Sequence, residues 1–325
     1  MRARIVATGS AVPRRVLHNR DLERMVATSD EWIAGRTGIR ERRVVDEGVA
    51  SSDLGTDAAR AALAASRWDP ADLDLILVAT CTPDMPLPST ACLIQRNLKA
   101  SRAIAFDLAA ACSGFLYGLA VADLYVRAGT CRRVLLVGTE VMSSVIDWTD
   151  RSTCILFGDG AGAALLEPSD DDRGVLSTHL HSDGDLWDLV CVPGGGSRLP
   201  ASAAMLASRQ QYLKMKGNET FKAAVKTLEA TAREALEANK LDVADVDLFI
   251  PHQANVRIIQ AVMERLGLPQ DRVFLNMDRY GNTSAASIPL ALDEAVRTGR
   301  ISPGTRILMV AFGSGLTWAS AMVKW

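Results

Sequence analysis

The 325-residue sequence has no excess of either sign of charge. Its 36 lysine and arginine residues and 38 aspartate and glutamate residues leave a net charge of −2, and the basic residues form no long run. A protein that binds nucleic acid through the phosphate backbone needs a surplus of positive charge. The composition therefore argues against nucleic acid as a partner.

The sequence also lacks long apolar segments. A helix that spans a bilayer needs about 18 or more consecutive apolar residues, and no stretch of the sequence approaches that length. The N-terminal residues, MRARIVATGSAVPRRV, contain no apolar run of signal-peptide length. We therefore expect a cytoplasmic protein with no membrane partner.

The six cysteines and four histidines form no recognisable metal or disulfide pattern. No two cysteines are spaced as C-x-x-C, and the histidines do not cluster with them. Zinc sites and disulfide frameworks both depend on such spacings. We expect no metal site, and we expect reduced cysteines that mostly fill the core.

The composition is ordinary for a globular protein, with 48% hydrophobic and 23% charged residues. The length suggests about two domains or two fused halves. An internal repeat supports two halves, because RAALAASRWDPADLDLIL from Arg60 matches REALEANKLDVADVDLFI from Arg233 at an offset of 173. Each copy is typical of a helix, a turn and an apolar strand.

Two further matches follow in the same order. DLYVRAG matches DEAVRTG at an offset of 170, and RVLLVG from Arg133 matches RILMVA from Arg306 at 173. Strands that alternate with helices in this way build layered α/β sheets. We therefore divide the chain into residues 1–173 and residues 174–325, each containing one copy of the unit.

The repeat bears on Cys112, in the stretch AAACSGFLYG. At an offset of 170, Cys112 aligns with Asn282 of RYGNTSAAS. Each follows a strand-like run, AIAFDL or RVFLNM, and precedes a helix-like run. Ligands of α/β proteins usually bind at the carboxyl ends of strands, so both residues are candidates for a site.

Cys112 itself allows two interpretations. A free cysteine is most often a small buried apolar residue, and the neighbouring alanines fit tight packing. At a helix N-terminus, however, backbone N–H groups and the helix dipole favour the thiolate, and the motif contains no acidic residue that would raise the thiol pKa. The other cysteines lack this setting, and we interpret them as packing residues: Cys81, Cys92, Cys131, Cys154 and Cys191.

A nucleophile needs partners, and His252 is the best-placed histidine. It follows the apolar strand VDLFI and Pro251, and it precedes the polar segment QANVRII. A structural role fits this position equally well, and Asn282 could be an ordinary helix N-cap. The combination of Cys112, His252 and Asn282 is more specific than any one of them.

Six motifs extend over essentially the whole chain: TSDEWIAGRTGIRER (28–42), DLAAACSGFLYGL (107–119), FGDGAGAALL (157–166), PHQANVRII (251–259), GNTSAASIPLALDEA (281–295) and AFGSGLTWASAMV (311–323). On these motifs the sequence resembles the thiolase-superfamily condensing enzymes, and specifically the β-ketoacyl-acyl carrier protein synthase III family. The resemblance implies a thiolase-like fold in which duplicated α/β halves form a layered αβαβα core. It also implies a transferase of fatty-acid biosynthesis that uses no cofactor.

The resemblance implies that Cys112, His252 and Asn282 are catalytic. Cys112 would take an acyl group from acyl-CoA, and malonyl-acyl carrier protein would then lose CO2, with His252 and Asn282 stabilising the enolate. Attack on the acyl-cysteine would give 3-oxoacyl-acyl carrier protein and so initiate fatty-acid synthesis. The backbone N–H groups of Cys112 and Ser314 would form the oxyanion hole. Elongating condensing enzymes have Cys with two His, so Asn282 favours the initiating type.

Further contacts are implied by the same resemblance. The expected CoA-binding residues are Thr28, Trp32, Arg36, Arg151, Met215, Gly217, Phe221, Ala254 and Asn255. The expected acyl-pocket residues are Leu87, Met142, Phe157 and Leu189, with Leu87 reaching the pocket of the neighbouring subunit in a homodimer. The residues expected to dock the acidic carrier protein are Lys222, Gln253, Arg257 and Arg265.

Three other functions compete with this interpretation. One is a related acyltransferase or condensing enzyme of a secondary-metabolite pathway with the same acyl-cysteine chemistry. A second is a thioesterase-like hydrolase, in which water takes the acyl group. A third is a catalytically silent protein that binds acyl carrier protein. The complete triad argues against the silent protein, and the enolate-stabilising pair argues against simple hydrolysis.

Overall fold

The computed structural model describes residues 1–325. The strands are β1 (Arg2–Ala11), β2 (Val16–His18), β3 (Glu41–Arg43), β4 (Leu75–Ala79), β5 (Ile104–Leu108), β6 (Val134–Glu140), β7 (Gly160–Ser169), β8 (Gly174–Ser182), β9 (Val190–Cys191), β10 (Lys214–Met215), β11 (Leu248–Pro251), β12 (Arg306–Gly313) and β13 (Thr317–Lys324). The helices are α1 (Asn19–Leu22), α2 (Asp30–Thr37), α3 (Ser51–Ser66), α4 (Thr90–Leu98), α5 (Gly114–Arg127), α6 (Arg151–Cys154), α7 (Ala203–Ala207), α8 (Gly217–Ala238), α9 (Val256–Leu266), α10 (Met277–Tyr280) and α11 (Ser287–Arg297). None of these helices combines the length and the apolar character that a bilayer span requires.

Two sheets with similar strand arrangements form the framework. The first has the order β1-β7-β6-β4-β5, in which β4 pairs in parallel with β5 and β6 while β7 runs antiparallel to β1 and β6. The second has the order β11-β12-β13-β8, in which β11 and β12 are parallel and β13 is antiparallel to β12 and β8. Each sheet therefore joins a parallel part to an antiparallel edge.

The helices form three layers around the two sheets. Helices α5 and α11 lie between the sheets and share one buried core with both. Helices α3 and α4 cover the outer face of the first sheet, and α8 and α9 cover the outer face of the second. This order confirms the predicted layered αβαβα fold.

Burial on every side explains the apolar sequences of the central elements. All five residues of β4, LILVA, are buried, as is usual for a parallel strand with helices on both faces. The sheets approach the central helices closely, and Gly162 permits this in the first sheet. A Cβ at Gly162 would lie 2.6 Å from the backbone carbonyl carbon of Pro289 in α11.

The junctions before α5 and α11 are equivalent at an offset of 173. Helix α5 begins at Gly114 and α11 begins at Ser287. A 3-10 turn precedes each helix, and each turn opens on a residue with positive φ, 45° at Ala111 and 48° at Ser284. The two turns are therefore the same structural unit.

This equivalence corrects the predicted pairing of Cys112 with Asn282. At an offset of 173, Cys112 corresponds to Ala285, and Asn282 corresponds to Ala109. The offset of 170 matches the helix C-termini instead, because α5 has 14 residues and α11 has 11. One extra helical turn in the first copy therefore produced the wrong correspondence.

The segment RVFLNM (272–277) is not a strand, contrary to the prediction. It makes a single parallel bridge, between Val273 and Phe249, before α10 begins at Met277. The backbone N–H of Asn276 donates to Oε1 of Gln253 at 3.1 Å rather than to a neighbouring strand. The second sheet therefore has four strands where the first has five.

Candidate active site

A cavity of about 960 Å³, including its open mouth, brings the three candidate catalytic residues together. Cys112, His252 and Asn282 all line it, and 15 of its 23 lining residues are hydrophobic. No group of three or more His, Cys, Asp or Glu side chains is arranged to hold a metal ion. The wall is therefore largely apolar around a thiol, an imidazole and an amide.

The sharp turn before α5 positions Cys112. Its thiol is partly exposed to the cavity, and the residue before it has the positive φ described above. The hairpin between β12 and β13 holds this turn, because Thr317 Oγ1 donates to the Ala110 carbonyl at 2.9 Å and Ser113 Oγ donates to the Thr317 carbonyl at 3.1 Å. The nucleophile candidate is thus fixed from both halves of the chain.

The position of Cys112 before a helix suggests a lowered thiol pKa, but the surroundings of the thiol in the folded protein raise it. Burial raises its pKa to about 12, a hydrogen bond from Ser284 opposes this rise, and the nearby Glu140 adds to it. The acidic residue comes from the end of β6, so the local motif gives no sign of it. In the empty protein the thiol is protonated at neutral pH.

His252 lies just past the end of β11, where its backbone N–H donates to the Val310 carbonyl at 2.8 Å. Its Nδ1 lies 2.6 Å from Oγ of Ser287, the first residue of α11. Ser287 Oγ also accepts from the Gln253 backbone N–H at 3.5 Å. In the tautomer that carries the imidazole proton on Nε2, the Ser287 hydroxyl donates to Nδ1.

Burial lowers the pKa of His252 to about 3. The ring is therefore neutral over the physiological range. A neutral imidazole with its proton on Nε2 acts as a hydrogen-bond donor and not as a cation.

Asn282 is held with its amide in one orientation. Its backbone N–H donates to the Leu156 carbonyl at 2.8 Å, and its own carbonyl accepts from the Gly158 N–H at 3.1 Å. The Ser284 backbone N–H donates to Asn282 Oδ1 at 2.8 Å. The side-chain oxygen is thereby occupied, which leaves Nδ2 as the group available for a ligand oxygen.

Ser314 follows the residue that approaches the nucleophile most closely. A Cβ at Gly313 would lie 2.7 Å from the Cys112 backbone nitrogen. The Ser314 hydroxyl donates to the Val190 carbonyl, which ties the loop to the cavity wall. The backbone N–H groups of Cys112 and Ser314, the predicted oxyanion hole, thus lie on adjoining segments.

The predicted CoA-binding residues fall into two groups. Five line the cavity: Met215, Gly217, Phe221, Ala254 and Asn255. The other four, Thr28, Trp32, Arg36 and Arg151, lie outside its lining. The guanidinium carbons of Arg36 and Arg151 lie 4.7 and 4.8 Å from the Trp32 ring centroid, so no aromatic ring fits between Trp32 and Arg151 in this conformation.

Two of the four predicted acyl-pocket residues, Met142 and Phe157, line the cavity. Leu189 does not line it, contrary to the prediction, because it packs into the buried core beneath α8, and its neighbour Val190 faces the cavity instead. Leu87 lies outside the cavity of its own chain and is 85% exposed. Its predicted role in a partner's pocket stays a prediction.

The predicted docking residues differ in accessibility. Lys222, Arg257 and Arg265 are exposed, and Arg265 Nη1 lies 3.1 Å from Glu229 Oε2. Gln253 is buried, so its predicted role in docking is wrong. Its amide nitrogen donates to the carbonyls of Pro251 and Phe274 at 2.7 and 3.2 Å and is fully used inside the protein.

Comparison with known proteins decides the family. Models described as 3-oxoacyl-[acyl-carrier-protein (ACP)] synthase III and as its C-terminal part match residues 106–184 and 236–325. The chain is 55% identical to beta-ketoacyl-[acyl-carrier-protein] synthase III of Roseiflexus castenholzii over 323 residues, which cover 99% of this chain and 98% of that relative. The chain belongs to the β-ketoacyl-acyl carrier protein synthase III family. The predicted family and the predicted enzyme class, a condensing acyltransferase, are confirmed.

Solved structures of β-ketoacyl-acyl carrier protein synthase III agree with the fold. The 3-oxoacyl-[acyl-carrier-protein] synthase III of Aquifex aeolicus is 46% identical, with a TM-score of 0.92, and the match covers 99% of this chain and 100% of that one. The priming β-ketosynthase of the R1128 polyketide biosynthetic pathway is 38% identical, also with a TM-score of 0.92, over 99% of this chain and 96% of that one. The thiolase-like fold is thereby confirmed.

Sequence reasoning missed several polar residues around Cys112, His252 and Asn282. Cys81, interpreted as a packing residue, lines the cavity and is exposed to it. Glu140 ends the apolar strand RVLLVGTE, and an acidic residue at that point is a signal that could have been noticed. Ser284 and Ser287 lie within the quoted motif GNTSAAS, but their contacts depend on the tertiary fold.

Proposed function

We propose that the protein condenses an acyl-CoA primer with malonyl-acyl carrier protein by a decarboxylative Claisen reaction. The products are 3-oxoacyl-acyl carrier protein, CO2 and CoA, and the reaction initiates fatty-acid synthesis. The observation that supports this most directly is the convergence of Cys112, His252 and Asn282 on one apolar cavity in a member of this family. Residues 1–173 supply the nucleophile, and residues 174–325 supply the other two groups.

The first half-reaction is acylation of Cys112. The sulfur attacks the thioester carbonyl, and CoA leaves once the tetrahedral intermediate collapses. The negative charge on the carbonyl oxygen is stabilised by the backbone N–H groups of Cys112 and Ser314. Donors held in place before the reaction cost no reorganisation as that charge develops.

The second half-reaction is decarboxylation of the malonyl group and attack on the acyl-cysteine. His252 Nε2–H and Asn282 Nδ2 donate hydrogen bonds to the thioester oxygen, which becomes an enolate oxygen as CO2 leaves. The apolar cavity disfavours the charged malonyl carboxylate, which leaves as neutral CO2 while its electron pair and negative charge pass to the enolate. The resulting carbanion attacks the acyl carbon, and Cys112 is released.

The CoA moiety is proposed to extend from the cavity toward α2. Met215, Gly217, Phe221, Ala254 and Asn255 contact the pantetheine part. Trp32 and Arg151 hold the adenine between an aromatic plane and a guanidinium, after Arg151 has rotated off the Trp32 ring. Arg36 contacts a phosphate, and Thr28 contributes its hydroxyl, which is buried with no partner in the protein.

The carrier protein is proposed to dock beside the cavity mouth. Lys222 and Arg257 are exposed there and make no ion pair in the structure, so their charges are available to an acidic partner. Arg265 adds a third positive group, partly balanced by Glu229. Charges at the rim of such an interface mainly increase the association rate.

The protein is proposed to act as a cytoplasmic homodimer without a cofactor. Strand β5 is the free edge of the first sheet, and Ile104 on it is 49% exposed. Leu87 and Met85 lie exposed on the loop before α4. In the dimer Leu87 would complete the acyl pocket of the partner, next to Met142 and Phe157.

A secondary-metabolite condensing enzyme is the second candidate function. Its support is the 38% identity with the priming polyketide β-ketosynthase. The 55% identity with the fatty-acid type relative is higher and extends over the whole chain, so initiation of fatty-acid synthesis is the preferred function.

The test separates the two half-reactions. The protein is incubated with a panel of acyl-CoAs, and acylated Cys112 is detected by intact mass. Malonyl-acyl carrier protein is then added, and CO2 and 3-oxoacyl product are measured. Acylation followed only by release of free acid would favour the hydrolase, and absence of acylation with every primer would contradict all the enzyme functions.

Three variants assign the roles. Cys112→Ala abolishes acylation, because the nucleophile is gone. His252→Ala and Asn282→Ala acylate nearly as the wild type does but decarboxylate at least about 10²-fold more slowly, the usual loss for one oxyanion donor. If either variant failed to acylate while keeping its fold, the division of labour between the triad residues would be wrong.

A further inference from the structure

Acylation of Cys112 needs a proton acceptor that the triad does not supply. The thiol is protonated at neutral pH, as its raised pKa shows. His252 is a poor base, because Ser287 contacts its Nδ1 and burial holds its pKa low. The acceptor therefore has to lie elsewhere in the wall of the cavity, and its assignment rests on the acylation step proposed above.

Glu140 is a fully buried carboxylate behind the nucleophile. It accepts from the backbone N–H groups of Cys81 and Thr82, both at 3.1 Å, and from Thr82 Oγ1 at 2.6 Å. No lysine, arginine or histidine forms an ion pair with it, and burial raises its pKa. Burial without a cationic partner makes a carboxylate more basic than an exposed one, which suits it to accept a proton.

Cys81 and Ser284 connect this carboxylate to the nucleophile. Cys81 Sγ lies 3.2 Å from Glu140 Oε1 and 3.7 Å from Ser284 Oγ. Ser284 and Cys112 both line the cavity, and the Ser284 hydroxyl lowers the pKa of the Cys112 thiol. Cys81, Ser284 and Cys112 thus lie together in the cavity lining, with the buried Glu140 carboxyl behind Cys81.

The other titratable groups near these four residues do not come between them. His252 lies across the cavity and stays neutral. The carboxyl of Asp159, which also lies near the end of β6, is bound by the Val45 and Ser143 backbone N–H groups at 2.9 and 2.8 Å. Cys81 and Cys112 are therefore the titratable groups that face Glu140.

We propose that Glu140 is the base for acylation and that it receives the Cys112 proton through Ser284 and Cys81. As the Cys112 sulfur bonds to the thioester carbon, its proton moves to Ser284 Oγ. The Ser284 hydroxyl proton moves to Cys81 Sγ, and the Cys81 thiol proton moves to Glu140 Oε1. When the C–S bond to CoA breaks, the CoA thiolate takes a proton back along the same line.

This transfer keeps the charge in the cavity constant. When Glu140 is ionised, the negative charge lies on its carboxylate before the transfer and on the attacking sulfur, and then the oxyanion, afterwards. Loss of the Cys112 proton to solvent would instead place a second negative charge beside a buried carboxylate, which an apolar environment strongly disfavours. The relay therefore allows a thiol with a high pKa to act as a nucleophile at neutral pH.

The test measures single-turnover acylation of the full chain by acetyl-CoA across the pH range. Glu140→Gln removes the acceptor while preserving side-chain size, and it acylates about 10²-fold more slowly at pH 7, the usual range for a lost general base. Its rate rises toward the wild-type rate as pH approaches 10, because hydroxide then removes the proton. Glu140→Asp keeps the carboxylate and retains more activity at pH 7.

Three other outcomes would overturn the relay. If Glu140 only raised the pKa of Cys112, Glu140→Gln would acylate faster than the wild type at pH 7, and that result would overturn the relay. Equal rates would overturn it as well. Absence of acylation in the wild type with any acyl-CoA would overturn the proposed function together with the relay, so the two failures are distinguishable.

A matched pair at Cys81 tests the route. Cys81→Ser keeps an exchangeable proton and acylates at a rate close to that of the wild type. Cys81→Ala breaks the line and acylates at least tenfold more slowly, with an unchanged KM for acetyl-CoA and an unchanged thermal midpoint. Equal acylation by Cys81→Ala and Cys81→Ser would overturn the route.

Discussion

At the scale of single residues, the environment of each catalytic group determines what it can do. Burial lowers the pKa of His252 to about 3, and it is the largest cause that raises the pKa of Cys112 to about 12. The imidazole is thereby kept as a neutral donor, which suits an enolate oxygen better than a cation that would have to be desolvated. The raised pKa favours the protonated thiol, so the proposed acylation needs a proton acceptor.

The backbone around Cys112 tolerates very little change, and Gly313→Ala tests this. A methyl group at this position would lie 2.7 Å from the Cys112 nitrogen, so the nucleophile or the Ser314 loop must move. Displacement by a few tenths of an ångström to 1 Å misaligns the oxyanion donors, and we expect acylation to fall by on the order of 10²-fold. The measurement is single-turnover acylation followed by intact mass.

Gly184→Ala is the matched control for this substitution. A Cβ at Gly184 meets no atom within 4 Å, so acylation should equal that of the wild type. Wild-type acylation by Gly313→Ala would show that the turn can move without loss of function.

At the scale of elements, the site is assembled by contacts between segments that are far apart in sequence. Asn282 is held by Leu156 and Gly158, and His252 is oriented by the first residue of α11. A similar link joins the segment before α6 to the segment after α7. There Arg209 Nε donates to Asp147 at 2.7 Å, and Thr149 also donates to the same carboxylate.

The Asp147–Arg209 link should make stability depend on pH in acid. Hydrogen bonds from Arg209, the largest cause, hold the pKa of the Asp147 carboxyl well below its ordinary value. A carboxyl with a depressed folded-state pKa stabilises the fold above its unfolded pKa of about 3.9, and this stabilisation is lost as pH falls below that value. Arg209 is half exposed, which limits the expected contribution to about 1 kcal/mol at pH 7.

Asp147→Asn should therefore lower the free energy of unfolding by about 1 kcal/mol at pH 7 and by progressively less below pH 4. Urea denaturation measures this free energy at each pH. Asp57→Asn is the control, because Asp57 forms an exposed pair with Arg60 at 3.2 Å and should have almost no effect. If Asp147→Asn lowered the free energy of unfolding equally at every pH, the charge of the Asp147 carboxylate would not be the cause.

At the scale of the whole molecule, the motifs predict which residues meet at the site better than they predict how the two copies of the repeat correspond. Cys112, His252 and Asn282 each end a recognisable local pattern, so their convergence follows from the fold class. The pairing of Cys112 with Asn282 was wrong because it assumed that helices of two copies have equal length. Gln253 was assigned to docking through the family resemblance, and only the tertiary structure shows that two buried carbonyls use its amide.

Oligomeric state is the largest-scale property that the structure lets us predict. Strand β5 has a neighbour on one side only, and its unpaired edge carries the exposed Ile104. An open edge with an apolar side chain favours strand pairing with a second copy, and a two-fold axis would extend the first sheet across both subunits. The exposed Leu87 lies on the same part of the chain as β4 and α4, which flank this edge.

Ile104→Asp should convert the proposed dimer into a monomer, because it places a charge at the first residue of that edge strand. Light scattering after gel filtration gives the mass, and the condensation rate should fall at the same time, since Leu87 would no longer reach the partner's pocket. Leu180→Asp is the control, because Leu180 is an exposed apolar residue on β8, the edge strand of the other sheet, and this variant should remain dimeric. A dimeric Ile104→Asp protein, or a monomeric wild type with full condensation activity, would place the functional unit within one chain and leave Leu87 without a role in the acyl pocket.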